Sequence, residues 1–142
     1  MRRLAPLAFA LVAAAAFSSR APADDAATKS APMSRGWVFT EQGGPDLFAN
    51  VCAACHQPDA RGAVGAAAYP PLASNKKLAS AGFMLDVLFK GFRGMPPLGR
   101  MMSDDQVADV VNYVRTHFGN SYAGAVSTAQ VAAERQQTDP AR

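Results

Sequence analysis

Both cysteines of this chain and one of its two histidines fall within five residues, Cys52-Ala53-Ala54-Cys55-His56. The spacing Cys-x-x-Cys-His is the attachment signature of a c-type haem. Two thiols three positions apart add across the two vinyl groups of one porphyrin, and the histidine directly after the second thioether is held under the iron. No cysteine is left over, so Cys52 and Cys55 specify one covalently attached haem c, with His56 as the proximal iron ligand. A thioredoxin-like motif would need a βαβ context. A closed zinc site needs four ligands, and the chain holds two Cys and two His in total. The haem also meets a constraint of size. Structure signals are dense over residues 43–119, and at about 75–80 residues a core alone is marginal and some staple is expected. A covalently held haem, with its large apolar faces, is that staple.

The whole chain has 142 residues, enough for one domain and too few for two ordinary ones. Its first 23 residues read as a signal peptide. Met1-Arg2-Arg3 is a basic start, residues 4–17 are apolar, and Ala21-Pro22-Ala23 is a small-x-small cleavage site. The mature chain is expected to begin near Asp24. The apolar run is shorter than the ~20 residues that span a bilayer, which disfavours a retained anchor. Export to a bacterial periplasm agrees with haem attachment. Arg2, Arg3 and Arg20 leave with the signal, so 14 Lys and Arg fall to 11, equal to the 11 Asp and Glu. Haem propionates would tip the balance slightly acidic. The net charge of +3 on the full chain therefore gives no support for nucleic-acid binding, which needs a clustered basic face.

Residues 24–36 mix Asp, Ala, Ser, Pro and Lys without period and read as a flexible leader. The domain is expected over residues 37–119, with Trp37-Val38-Phe39 packing on its edge. Residues 120–142 form an extension: Ser127-Thr128-Ala129-Gln130 resembles a capping box opening a short helix to about Arg135, followed by a polar tail. No repeats and no convincing strand alternation occur, so the fold class is all-α with three main helices. The first starts at Gly44-Pro45 and runs into Cys52, with Pro suited to a helix start. The second covers about residues 81–90, with Leu85, Leu88 and Phe89 apolar at helical spacing and Gly91 as its stop. In the third, Ser103 and Gln106 make a capping box, Asp104 and Asp105 favour the positive end of the dipole, and Met102 and Val107 stand as a hydrophobic staple. Val107, Val110, Val111, Val114 and Phe118 form one apolar stripe, and Gly119 ends the helix.

The sixth iron ligand must come from methionine, His117 or nothing. Met1 lies in the signal and Met33 in the leader, leaving Met84, Met95, Met101 and Met102. Met84 falls within the second helix and Met102 is the staple of the third. Met95 stands in Gly94-Met95-Pro96-Pro97, where the following proline pushes it into extended geometry. Such a loop can lay a thioether across a haem face, so Met95 is assigned as the ligand, with Met101 the next candidate. His/Met ligation raises haem potential. His117 reads more simply as a cation at a helix C-terminus.

On these residues the chain resembles class I cytochromes c, especially the small periplasmic domains that partner dehydrogenases, over about residues 40–119. Gly44, Phe48 and Cys52 recur at four-residue intervals, as in that family's first helix, and Val110 and Tyr113 hold the matching positions of its last. The likeness implies a haem wrapped by the helices and a close crossing of first and last helix. Tyr69-Pro70-Pro71-Leu72 is similar to the family's Pro-x-Leu segment. By that likeness the Pro70 carbonyl accepts the His56 ring N–H and Leu72 packs on the haem. The resemblance implies an electron carrier rather than an enzyme, taking electrons from a periplasmic dehydrogenase toward a terminal oxidase or another cytochrome. Any membrane association would come through a partner. The loop at residues 95–98 is expected to help form the docking surface; Phe83 and Phe92 either join it or sit in the core. The alternative is a haem enzyme or gas-binding protein with an open distal position. One haem motif argues against two-haem peroxidases, and its place early in the domain argues against four-helix-bundle cytochromes.

Overall fold

The computed structural model describes residues 38–138. The signal segment, its cleavage site, the leader, Trp37, Met33 and the last four residues of the tail lie outside the described residues. The described chain is mostly helical. Helix α1 (Gly43–Leu47) passes through a π-helical turn, Phe48–Cys52, into α2 (Ala53–His56). The helix thus runs one turn beyond Cys52. Nothing in Val51-Cys52-Ala53-Ala54 breaks it until Gln57 takes a positive φ of 67°. The widened turn shows in the Ala53 N–H, which reaches back to Phe48 O. Single π turns are frequent at functional sites. A ladder of two residue pairs follows, β1 (Ala63–Val64) against β2 (Ala68–Tyr69), antiparallel.

Helix α3 (Ala81–Lys90) has the expected bounds. Its start is fixed by Ser80, whose Oγ accepts the Phe83 N–H at 3.2 Å, and its end by Gly91 at φ +74°. In α4 (Asp104–Thr116) both arms of the capping box form: the Gln106 N–H donates to Ser103 Oγ at 3.2 Å and the Ser103 N–H to Gln106 Oε1 at 2.8 Å. Met102, Val107, Val110, Val111 and Val114 are all buried, so staple and stripe together supply one wall of the core. Phe118 is only partly buried against it. Helix α5 (Thr128–Thr138) extends three residues past the expected end at Arg135. Its capping box forms as well, with the Ser127 N–H donating to Gln130 Oε1 at 2.9 Å.

Helices α1 and α4 cross in close contact. A Cβ on Gly44 would meet Tyr113 Cβ at 2.4 Å and Asp109 O at 2.5 Å, so only glycine lets the backbones approach this far. Phe48, buried beside it, packs its ring 5.9 Å from Tyr113 and 4.5 Å from Phe118. On the edge, Phe39 is partly buried and its N–H donates to Met101 O at 3.0 Å. Beyond α4 the chain turns back along it. Asn112 exchanges two bonds with Val126, and Thr128 Oγ1 donates to Asp105 Oδ1 at 2.6 Å. Val126 and Val131 are buried, so the extension belongs to the core of the domain. Among the described residues no helix is long and apolar enough to cross a membrane.

Candidate haem site

Helix α2 carries Cys52 just before its first residue and Cys55 in its single turn. Residues three apart on a helix share a face, so both sulfurs point to one side. Cys52 is half-buried and Cys55 exposed, and neither is paired in a disulfide. Burial pushes the Cys52 thiol up to about 12, and the neighbouring Cys55 adds to the rise. His56 ends α2 and is buried. Its Nδ1 lies 2.9 Å from Pro70 O, fourteen residues away. With Nδ1 donating to that carbonyl, the ring is fixed in orientation and Nε2 is the nitrogen left for a metal.

The segment that supplies Pro70 is itself tied down. The Leu72 N–H donates to Ala60 O at 2.8 Å, and Asn75 Nδ2 donates to Pro71 O at 2.7 Å. Buried Asn120 spends its whole amide here. Its Nδ2 donates to Leu72 O and to Val114 O, at 3.0 and 2.8 Å, and its Oδ1 accepts the Asn75 N–H at 3.0 Å. Leu72 is partly buried against the core. Sequence reasoning passed over Asn120; the Gly119-Asn120 pair directly after a helix end was the available signal.

Met95 sits in a tight reversal. It pairs with Phe92 in an isolated antiparallel bridge, each N–H donating to the other's carbonyl at 3.0 Å. Gly91 backs this turn so closely that a Cβ there would lie 2.6 Å from Met95 O. The Met95 side chain is half-buried. The other methionines differ. Met84 is inside α3, Met101 ends a 3-10 turn (Leu98–Met101), and Met102 is buried in the core. His117 is exposed at the end of α4, with Nδ1 2.9 Å from Tyr113 O and its ring 4.1 Å from the Tyr113 ring. It lines a groove with Gly44 and Pro45 that includes neither cysteine nor His56.

Comparison with known proteins fixes the family. The family described as cytochrome C oxidase, cbb3-type, subunit III matches residues 40–114, more than half of the chain. The chain belongs to this family of c-type cytochromes. Among curated relatives, the cytochrome c subunit of a quinone alcohol dehydrogenase from Gluconacetobacter polyoxogenes is 32% identical over 110 residues, covering 68% of this chain and 23% of that protein. The fructose dehydrogenase cytochrome subunit of Gluconobacter japonicus is 32% identical over 116 residues, covering 70% and 24%. The gluconate 2-dehydrogenase cytochrome c subunit of Pantoea cypripedii is 32% identical over 111 residues, covering 67% and 24%. The cytochrome therefore spans about a quarter of the length of these relatives.

Membership implies a covalently bound haem c with its iron. The residues present fit that group. The donor set holds two cysteines on one helix face, neither in a disulfide, beside an imidazole whose second nitrogen is already engaged. Val51, Leu72, Met84, Met95 and Leu98 pack on the core yet are only partly covered by protein, leaving apolar surface for a macrocycle. The cytochrome also shows Phe83 and Phe92 outside the core. They are 36% and 52% exposed and meet edge to face at 6.4 Å, with the Arg93 guanidinium 5.3 Å from the Phe92 ring centre.

Proposed function

We propose that this chain is a periplasmic one-electron carrier, with a low-spin haem held by His56 and Met95, that relays electrons from a dehydrogenase toward the respiratory chain. On this reading residues 1–23 are removed on export, residues 37–119 form the haem domain, and the helices wrap the porphyrin. Cys52 and Cys55 hold it by thioethers, Pro70 orients His56, and Leu72 packs on its face. When bound, the haem supplies a one-electron couple between ferrous and ferric iron. The chain's own residues decide how that couple is used. With His56 and Met95 both holding the iron, no position would remain for a substrate, and catalysis would belong to a partner. The relatives named as cytochrome subunits of dehydrogenases support a dehydrogenase as electron donor; a terminal oxidase or another cytochrome is the acceptor.

The observation that carries the reading is the setting of Met95. It is held extended between its bridge to Phe92 and the proline that follows, while the other methionines of the domain lie in a helix, a turn or the core. Ferric protein should show the weak sulfur-to-iron charge-transfer band. Met95→Ala should abolish it and Met101→Ala should keep it. Rapid carbon monoxide binding by the untreated ferrous protein would instead establish an open distal position, and with it the gas-binding or enzymatic alternative.

A further inference from the structure

The segment that follows Met95 holds itself only in part, through the Leu98 N–H donating to Pro96 O at 2.9 Å. After Pro96 and Pro97 the chain makes the 3-10 turn Leu98–Met101, and its closing bonds are long: 3.3 Å from the Arg100 N–H to Pro97 O and 3.4 Å from the Met102 N–H to Gly99 O. Besides the bond from the Phe39 N–H to Met101 O at 3.0 Å, what anchors the turn comes from α5, outside the span that the family match covers. Arg135 Nη1 donates to Gly99 O at 2.9 Å and Nη2 to Met102 O at 2.8 Å, while Nε meets Asp104 Oδ1 at 2.7 Å. The guanidinium also lies 4.7 Å from the centre of the buried Phe89 ring. That ring in turn packs against the turn, since a Cβ on Gly99 would come within 2.9 Å of it. One side chain thus fixes both ends of the turn, the start of α4 and the end of α3.

The planar fork of arginine is suited to this task, because it bridges separate acceptors in one geometry, which an ammonium does not. Its path to the site is short. Met95 is bounded before by the Phe92 bridge and after by the turn that Arg135 clamps. We propose that Arg135 is a positioning residue for the iron ligand Met95, acting through the turn that its guanidinium clamps. The inference rests on Met95 being the sixth ligand. It also gives the extension a task within its own domain.

The test uses the full holoprotein and added imidazole, which competes with a methionine for ferric iron. Arg135→Ala should bind imidazole about tenfold more tightly than wild type, equivalent to roughly 1.4 kcal/mol, and should show a weakened charge-transfer band. Arg135→Lys keeps a charge beside Asp104 but cannot bridge two carbonyls, and should stay within about threefold of the alanine variant. Val131→Ala opens a cavity under the same helix; it should lower the unfolding midpoint and leave imidazole affinity at the wild-type value. Imidazole binding by Arg135→Ala within about twofold of wild type, full recovery in Arg135→Lys, or an equal gain in Val131→Ala would each overturn the proposal. Met95→Ala separates the two layers. If that variant keeps the charge-transfer band, the ligand reading fails and this inference falls with it. If it loses the band while Arg135→Ala behaves as wild type, only this inference fails.

Discussion

Two residues with no chemistry of their own set the geometry that the site depends on. Gly44 lets α1 lie against α4, and α1 leads directly into the helix that carries Cys52, Cys55 and His56. Asn120 joins the end of α4 to the segment holding Pro70 and Leu72, with each of its polar atoms engaged. The first case gives a sharp expectation. Gly44→Ala places a methyl 2.4 Å from Tyr113 Cβ and 2.5 Å from a backbone oxygen, and no rotamer change relieves a backbone contact. Overpacking of this kind costs typically 1–3 kcal/mol, and the backbone partner puts this variant near the upper end, about 3 kcal/mol. Denaturant unfolding of the holoprotein should show the midpoint falling with an unchanged slope. The sequence pattern made the glycine visible through its four-residue spacing to Phe48 and Cys52. Asn120 had no such signal, because its three partners lie six, forty-five and forty-eight residues away.

At the scale of elements, what was legible in the sequence is what local chemistry decides. The start of α3 and the caps of α4 and α5 follow from side chains within three residues of each helix start, and the end of α3 from Gly91. The π turn at Phe48–Cys52 and the return of the extension along α4 do not, since they arise from packing between distant segments. The His56 to Pro70 contact has no periodic signal either, and only the resemblance suggested it. Gln106 belongs to both categories. Its local role is the capping box with Ser103; its distant role is to donate through Nε2 to Phe39 O at 3.0 Å and Glu41 O at 2.8 Å, stitching the strand-like entry to α4. The two roles separate by mutation. Ser103→Ala removes one cap bond at an exposed position and should cost about 1 kcal/mol. Gln106→Ala loses its half of the box and also withdraws the donors to two carbonyls, one of them in a buried bond, which should bring the loss to about 2–3 kcal/mol. Thermal unfolding of the two holoproteins in parallel gives the ranking. Equal losses would mean that the entry segment contributes nothing through Gln106.

For the whole molecule, the decisive quantity is charge balance. With residues 1–23 removed, as proposed, the chain keeps 11 Lys and Arg against 11 Asp and Glu, and its net charge gives no strong field toward a partner. Electrostatic steering raises association rates only where fields are large and one-sided, and it falls steeply with ionic strength. On the proposed carrier role, recognition of a partner then rests on shape and apolar contact. The exposed edge-to-face pair of Phe83 and Phe92 lies next to the Met95 turn, with Arg93 against it, and aromatic groups of this kind anchor interfaces. Electron exchange with the proposed dehydrogenase partner should therefore depend little on salt. Raising ionic strength from about 0.05 to 0.5 M should change the second-order rate constant less than about threefold, although it shortens the Debye length severalfold. Phe92→Glu puts a charge into the apolar patch and should slow the same exchange by more than about tenfold, a loss of roughly 1.4 kcal/mol in the encounter. Its charge-transfer band should match wild type, because Phe92 holds Met95 through backbone atoms that the substitution keeps. Steep salt dependence with an unaffected Phe92→Glu variant would move the docking surface away from this turn.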